Sequence, residues 1–569
     1  MKKIAPSFWF LLALGLLTAS GSIAQPATLP LQSPAHHLLD RLDISSGTAA
    51  PMHLQVRPVS RQDAVAYALL VDSVANTAGK YSAGLRYLYD ENNEWLSPGD
   101  SLRRRLRRKP VLGIFFRTPA NLFEVNTPAF RLRVNPMAQL AAGQEQNESA
   151  FLFVNQRGVE VRGDVDGRVY FYSHVLESQV RFPNYVNQWV AGYQSVPGAG
   201  FYKPYNSGLF NVKNGYDFNL ANAYIGARIT RHISLQFGHG QHFIGNGYRS
   251  LWLSDAGNYA YYLKFSTRVW RLHYQNLFLE LHPISTAVPR PPNSLLPKKY
   301  VAAHYLSFRP APAISIGFFE ATVLNRSRQF ELQYLNPVIL YRTVEGMIGS
   351  PDNVLIGFDG RWNFLRRFQV YGQLLIDEFL FSALYKPEQK GWWGNKFGWQ
   401  AGIKYIDAFQ VPHLDIQLEY NTVRPYTYSS FDSLNSYTHY HQALAHPLLA
   451  NFNEWIGLVR YQPHPRVWLS GRLMYAKTGE DSASENWGNS PLLQNGSRVR
   501  DYGNFTGQGV QSEIFLAGLD AAWQLYHNLY FECRVLLRHK NSADDNRDLE
   551  TRLFNLGIRW NVWNRNLDF

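Results

Sequence analysis

Apolar and polar residues alternate along most of the chain. In the last segment Phe554, Leu556, Ile558, Trp560 and Val562 share one face, and Asn555, Gly557, Arg559 and Asn561 share the other. The segment before it sets Leu529, Phe531, Cys533, Val535 and Leu537 against Tyr530, Glu532, Arg534 and Arg538. The same pattern runs from Phe515 to Leu525, and recurs at Leu414/Ile416/Leu418/Tyr420 and Phe368/Val370/Leu374/Ile376. A period of two is the signature of strands, whose successive side chains point to opposite faces. The alternation starts near Phe123 and ends near Trp563, room for about 18 strands of about ten residues each.

Upstream of Leu122 the period is helical. His36–Leu42 and Ser60–Val71 read as short amphipathic helices, with Ser60 placed to cap the second and Asp63 in its first turn. Tyr81 to Leu106 continues helical, with a break at Ser97-Pro98-Gly99. At the start, Lys2 and Lys3 precede an apolar run from Ile4 to Leu17, and Ser22-Ile23-Ala24 offers a cleavage site, the anatomy of a secretory signal peptide over 1–24. Elsewhere no apolar run reaches the roughly 18–20 residues of a spanning helix.

Alternation alone fits a sandwich with one wet face or a barrel with one lipid face. Three features favour the barrel. The polar faces carry charge (Glu532, Arg534, Arg538). Aromatics gather near strand ends (Trp523, Tyr526, Tyr530, Trp560), as in an interfacial girdle. Tight turns at 230–232, 365–367 and 462–465 alternate with long polar connections at 425–449 and 479–509. The terminal Phe569 resembles the aromatic signal read by outer-membrane assembly machinery. The expectation is an all-β transmembrane barrel of about 18 antiparallel strands over 118–569. A small, mostly helical periplasmic subdomain precedes it at 25–117. Such a chain is exported to the outer membrane and surrounded by outer-membrane lipid.

Composition agrees. The chain holds 35 Phe, 34 Tyr and 15 Trp yet has a mean hydropathy of -0.27, as expected where one face meets lipid and the other water. One cysteine, Cys533, excludes an intramolecular disulfide and a cysteine zinc cluster. The formal charge of +13 is concentrated: 103–109 holds six of the positive charges. Nucleic acid is not a partner for an exported chain. The run reads as a solvated helix face or a contact for anionic headgroups.

Some strings are more specific. Phe237-Gly238-His239-Gly240-Gln241-His242-Phe243-Ile244-Gly245-Asn246-Gly247-Tyr248-Arg249-Ser250-Leu251-Trp252-Leu253-Ser254 resembles the glycine-rich strand end and Ser-Leu-x-Leu-Ser of the Wzi-type capsule assembly family. Leu54 to Arg61 resembles that family's opening. His446-Pro447-Leu448-Leu449-Ala450-Asn451 is similar to an element of its RemB-like, gliding-motility branch, with Leu449 in place of a glycine. Asn336-Pro337 and Ser350 to Asn353 fit the same branch. The resemblance implies an 18-stranded outer-membrane barrel with a periplasmic helical bundle. It implies a lectin-like role in holding surface polysaccharide, or a link to surface-machinery proteins in adhesion and gliding.

The chemistry reads as binding. Gly238 to Gly247 lacks the Gly-Lys-Ser/Thr of a phosphate loop. These glycines fit a bend at a strand end, or with His239, His242, Tyr248, Arg249 and Trp252 a sugar-facing surface. His439, His441 and His446 share one loop with Tyr426, Tyr428, Phe431, Tyr437 and Tyr440. The loop suits carbohydrate contact or its own packing better than a metal, which wants a third fixed ligand. Lumen arginines Arg472, Arg534, Arg538 and Arg559 would suit an acidic glycan. Asp377 and Glu378 are neighbours on a strand and point apart. No Gly-x-Ser-x-Gly or His-Glu-x-x-His occurs. The reading is therefore a glycan-binding barrel without enzymatic activity, cofactor or metal. The alternatives are a porin-like channel and a part of a gliding apparatus.

Overall fold

The computed structural model describes residues 27–75, 82–96, 118, 120–208, 212–284, 288–289, 291, 294–325, 331–349, 352–563 and 565–569. The leader at 1–24, the break at Ser97-Pro98-Gly99 and the basic run at 103–109 lie outside them.

The chain folds as a closed antiparallel barrel of 18 principal strands, from Phe130–Glu145 to Leu549–Trp560. Closure sets the last strand on the first, with Leu553 opposite Glu145 and Trp560 opposite Ala138. Two short strands, Phe123–Asn126 and Lys203–Ser207, extend the wall at its ends. Among the described residues no helix is long and apolar enough to cross a membrane.

The alternation maps onto the wall as outside and inside. Leu140, Trp455, Leu473 and Leu519 are more than half exposed on the outer face. Between them Asp415, Gln417, Glu419 and Asn421 are buried on the inner face. This is the inverse of a soluble sandwich and gives an apolar belt around a polar interior. Aromatic pairs band the outer wall: Phe364 stacks on Phe368, Phe368 on Tyr405, and Trp399, Tyr420 and Trp455 form a second group. Tyr530 does not belong to that girdle, because its position in the alternation turns it inward, where it is buried.

Before the barrel come helices Pro34–Ser45, Arg61–Ala75 and Ser82–Glu91. Ser33 and Ser60 cap the first two, accepting from Ala35 N at 3.3 Å and Asp63 N at 3.3 Å. Leu39, Leu42, Val65, Tyr67, Ala68 and Leu88 form their common core. These helices close the short-turn end of the barrel. Arg41 pairs with Asp407 at 2.8 Å and with Asp415, Lys404 pairs with Asp40 at 2.9 Å, and Arg361 with Asp43 at 3.1 Å. Gln55 donates to Ser307 at 2.6 Å and Ser315 at 2.8 Å. On the other side Glu91 meets His527 at 2.9 Å and Asn528 at 2.7 Å. The segment is thus a plug fixed to inward-facing side chains. The alternation could not reveal this, since it does not say what fills an interior.

The carboxyl end also lies inside. The last strand stops at Trp560, and residues 561–563 and 565–569 lie in the lumen, with Asn561 N donating to Asn528 O at 3.1 Å. Phe569 packs on Tyr185 and Trp189, and Arg538 donates to its carbonyl at 2.9 Å. Phe569 therefore does not end the final strand, contrary to the sequence expectation. The strand's own terminal aromatic is Trp560.

Candidate functional site

The glycine-rich string builds the middle of the lumen. The strand Ile233–Gly240 ends at Gly240, and residues 241–259 turn inward instead of leaving the barrel. Phe243–Ile244 there pairs with Val56–Arg57 of the plug, Val56 opposite Ile244. Segments from both ends of the barrel thus meet in one two-stranded sheet. Wall side chains satisfy the loop's backbone. Glu419 accepts from Tyr248 N at 2.6 Å and Arg249 N at 3.0 Å, and Gln373 from Leu251 N at 2.6 Å. Gln400 donates to Arg249 O at 3.0 Å. Gly247 is required by this approach: a Cβ there would lie 2.5 Å from a Glu419 oxygen. Gly357, on the wall, likewise admits the Trp252 ring, which would meet its Cβ at 2.3 Å.

The lumen arginines are paired. Arg249 bridges Glu454 at 3.1 Å and Asp568 at 3.2 Å; Arg472 bridges Asp568 at 3.2 Å and Asp520 at 3.4 Å. Arg534 pairs with Asp520, and Arg559 with Glu532 at 2.6 Å. Burial works against the charge on Arg249, but Glu454 and Asp568 hold its guanidinium above the usual range. The positive lumen expected for an acidic glycan is therefore neutralised by the chain's own carboxylates. Among the described residues, cavities of about 290 and 280 Å³ lie inside, and Arg565, Leu567 and Asp568 of the tail line both. In the first, Arg460 donates to Gln417 at 3.2 Å, and Arg565 to the Gly257 carbonyl at 3.0 Å.

The predicted binding residues converge only in part: Tyr248, Arg249 and His441 line the first cavity, and the others lie elsewhere. His239 lies on the outer face beside Tyr261, with ring centroids 4.7 Å apart. His242 is inside against Tyr262, and burial holds it well below the usual histidine range. Tyr248 and Arg249 hold the tail, with the Tyr248 hydroxyl on Asp568. Trp252 is fully buried, stacked on Phe319 at 5.0 Å. His439 donates to Tyr259 O at 2.9 Å, His441 to Tyr193 O at 2.9 Å and His446 to Glu454 at 2.8 Å. His439 and His441 do not share a strand face, because Tyr440 and His441 form a left-handed turn at φ 49° and 63°. Arg534 and Arg538 are bound as described above. Asp377 and Glu378 both reach Lys396, at 3.3 and 3.0 Å, after a register shift at Ile376, the first side chain buried and the second exposed. In the 425–449 loop, Tyr426, Tyr428 and Tyr437 are buried and pack the loop, while Phe431 is 75% exposed.

The accessible aromatic surface lies elsewhere. Connections 379–395, 424–451 and 481–509 join into one cover over the long-loop end. Trp393 N donates to Asp501 O at 2.8 Å, Asn504 N to Gly391 O at 2.9 Å and Asn495 N to Ser430 O at 3.1 Å. Asn451 ties the underside, donating to Gly479 O at 2.6 Å and Gln508 O at 2.9 Å. Leu449 sits at φ 66°, so the left-handed geometry of a glycine is kept there by a leucine. Arg498 lies over Trp393 at 4.2 Å, and Arg500 over Trp487 at 5.4 Å and Phe505 at 5.8 Å. Phe431, Tyr502 and Phe505 are exposed beside them. Sequence reasoning passed over Trp392-Trp393 and Asn486-Trp487-Gly488, although tryptophans in glycine-rich polar loops are the signal for such a surface.

Asp481 orders this cover. Its carboxylate accepts from the backbone N–H of Trp487 at 2.6 Å, Gly488 at 2.9 Å and Ser490 at 2.8 Å. Burial pushes its carboxyl up against those bonds. Asp481→Ala is expected to weaken the loop by about 2 kcal/mol, the scale of charge-assisted bonds. Limited proteolysis should then cut at 482–490 before any other site, and an unchanged digest would refute the assignment.

No family model matches the sequence, and no curated protein matches it in sequence. Among solved structures, one match extends over nearly all of both chains. The chain is similar in fold to Wzi. Wzi is an Escherichia coli outer-membrane protein involved in group 1 capsule assembly, described as a carbohydrate-binding β-barrel. The two share 12% identity with a TM-score of 0.53, over 93% of this chain and 98% of Wzi. OprD of Pseudomonas aeruginosa aligns with 10% identity and a TM-score of 0.40, over 75% of this chain and 94% of OprD.

Proposed function

We propose that this chain is an outer-membrane protein that holds a surface or capsular polysaccharide on its outer loops. It conducts no solute and catalyses no reaction. The observation that carries this reading is the aromatic–arginine cover lying over a lumen filled from both ends. Flat aromatic faces suit the CH faces of sugar rings, and Arg500, beside Gln508 and two rings, suits a glycan's hydroxyls or carboxylates. The similarity in fold to a carbohydrate-binding barrel supports it. A leader over 1–24 would deliver the chain to that membrane.

Detergent-purified barrel is expected to retain polysaccharide from its own cell surface in a pull-down. Replacing both Trp393 and Arg500 by alanine should lower that retention roughly 30-fold, the loss of a binding hot spot of about 2 kcal/mol. Equal retention by the double variant would reject the platform as the site. In planar bilayers the intact protein should pass no large steady current, and a porin-sized open current would reject the plugged reading.

The RemB-like resemblance rests largely on 446–451. His446 and Asn451 of that string tie the cover to the wall, which supports a structural role for it. A role in adhesion or gliding would need surface-machinery proteins as partners. Co-purification with such proteins without any glycan binding would favour that role over the one proposed.

A further inference from the structure

One patch of the outer wall breaks the apolar belt. Asn276, His304 and Glu320 lie directly opposite one another on three adjacent strands, Asn276 paired with His304 and His304 with Glu320. They share the outward face with exposed Leu306 and Ile316. The row continues sideways as Phe265 on one side and Ile356 and Ile376 on the other. Three polar side chains thus sit at the level of the belt.

A connection that should stand clear of the barrel covers them. After the strand Ile314–Leu324 the chain folds down the outside of the wall as the helix Tyr341–Ile348 and the turn before it. Tyr341 N and Arg342 N donate to Glu320 at 2.8 and 3.0 Å. The Tyr341 ring lies against His304, centroids 3.9 Å apart and tilted by 48°. The carbonyl of Pro337 accepts from Asn276 at 3.2 Å and from the Tyr274 hydroxyl. Tyr334, Tyr341 and Val344 pack on Phe278, Ala302 and Leu324 of the wall. The side turned away from the wall carries Val338, Leu340 and Met347, 82%, 53% and 73% exposed, together with the exposed Arg342, which pairs with Glu345.

We propose that residues 331–349 are an in-membrane cap. The cap seals the polar row and presents Val338, Leu340 and Met347 to lipid acyl chains. Its occupant follows from continuity with the belt, since the row it covers is flanked on both sides by outward apolar residues. A hydrocarbon surface at that level meets hydrocarbon, and uncovered Glu320 would face it as a charge. The inference rests on the reading of the barrel as membrane-spanning.

The test uses the full chain with Cys533→Ser, carrying single spin labels at Val338, Met347, Leu519 (belt) or Tyr502 (outer cover) in phospholipid vesicles. Collision with oxygen and with a nickel chelate separates lipid from water. Labels at 338 and 347 are expected to match 519, with several-fold preference for oxygen. If they match 502 while 519 reports lipid, the cap proposal fails and the membrane reading stands. If 519 also reports water, the membrane reading itself fails. Shielding from both probes would mean a second protein covers the cap, which overturns lipid as its occupant. Glu320→Ala should raise label mobility at 347 several-fold and leave 519 unchanged; unchanged mobility at 347 would overturn the anchoring by Glu320.

Discussion

Replacing Arg249 by methionine is expected to cost about 3–5 kcal/mol and to free the carboxyl-terminal tail, because it leaves buried carboxylates without their cation. Arg249 is 8% exposed and touches three things at once: Glu454 of the wall, the Asp568 side chain and the Asp568 carbonyl. Methionine fills much of the same volume, so the loss isolates charge pairing from packing. Two readouts follow. The temperature at which the folded barrel changes its gel mobility should fall by several degrees. Phe569 should become a substrate for carboxypeptidase, from which the lumen now shields it. Arg231→Ala, an exposed residue in a turn, should change neither. A tail that stays protected in Arg249→Met would show that its ring contacts hold it without the ion pairs.

Acidification should release the amino-terminal plug. His36 and His53 are buried in it, and burial holds both at about 3. Arg57 adds to this at His36 and Asp40 opposes it, while Arg309, Arg361 and Arg268 add to it at His53. A histidine whose folded value lies below its unfolded value of about 6.5 stabilises the fold fully above that pH. That contribution is lost as pH falls toward the folded value. At pH 4 the loss is about 3 kcal/mol for each, ~6 kcal/mol for the two. Proteolysis of the 27–75 segment should therefore accelerate between pH 6.5 and pH 4. His36→Gln with His53→Gln should flatten that dependence. Equal acid sensitivity in the double variant would assign the effect to other groups. The same window should bring a rise in bilayer current if the plug is what closes the short-turn end.

Fold class was legible from the alternation because the belt and the interior impose opposite polarities on neighbouring residues. That contrast holds on nearly every strand, so the strand number, the tight turns and the change of period near Leu122 could all be read. The content of the lumen was not legible. Arg534, Arg538 and Arg559 read as free cations on two neighbouring strands, since Asp520, Phe569 and Glu532 each come from a segment other than that of the arginine they meet. The glycine string was recognisable as a bend, but its inward direction depends on Glu419 and Gln373, far along the chain. Asn276, His304 and Glu320 look unremarkable one at a time, because each belongs to a different strand. That Asp377 and Glu378 share Lys396 was not legible either, because the bulge after Ile376 cannot be read from alternation. Periodicity reports faces, and it is silent on which distant partner meets each face.

The lumen joins the two ends of the chain to its middle. Arg41 meets Asp415 across 374 positions, Arg249 meets Asp568 across 319, and Tyr87 meets Asn528 across 441. Apart from its closure, the barrel wall needs only neighbouring strands, each available soon after the last. The plug is the first part of the barrel protein to be made, yet its buried charges find their partners only once nearly all of the chain exists. Assembly therefore runs against synthesis: the wall zips locally while the earliest residues wait, and the interior sets last, at a rate governed by long-range closure.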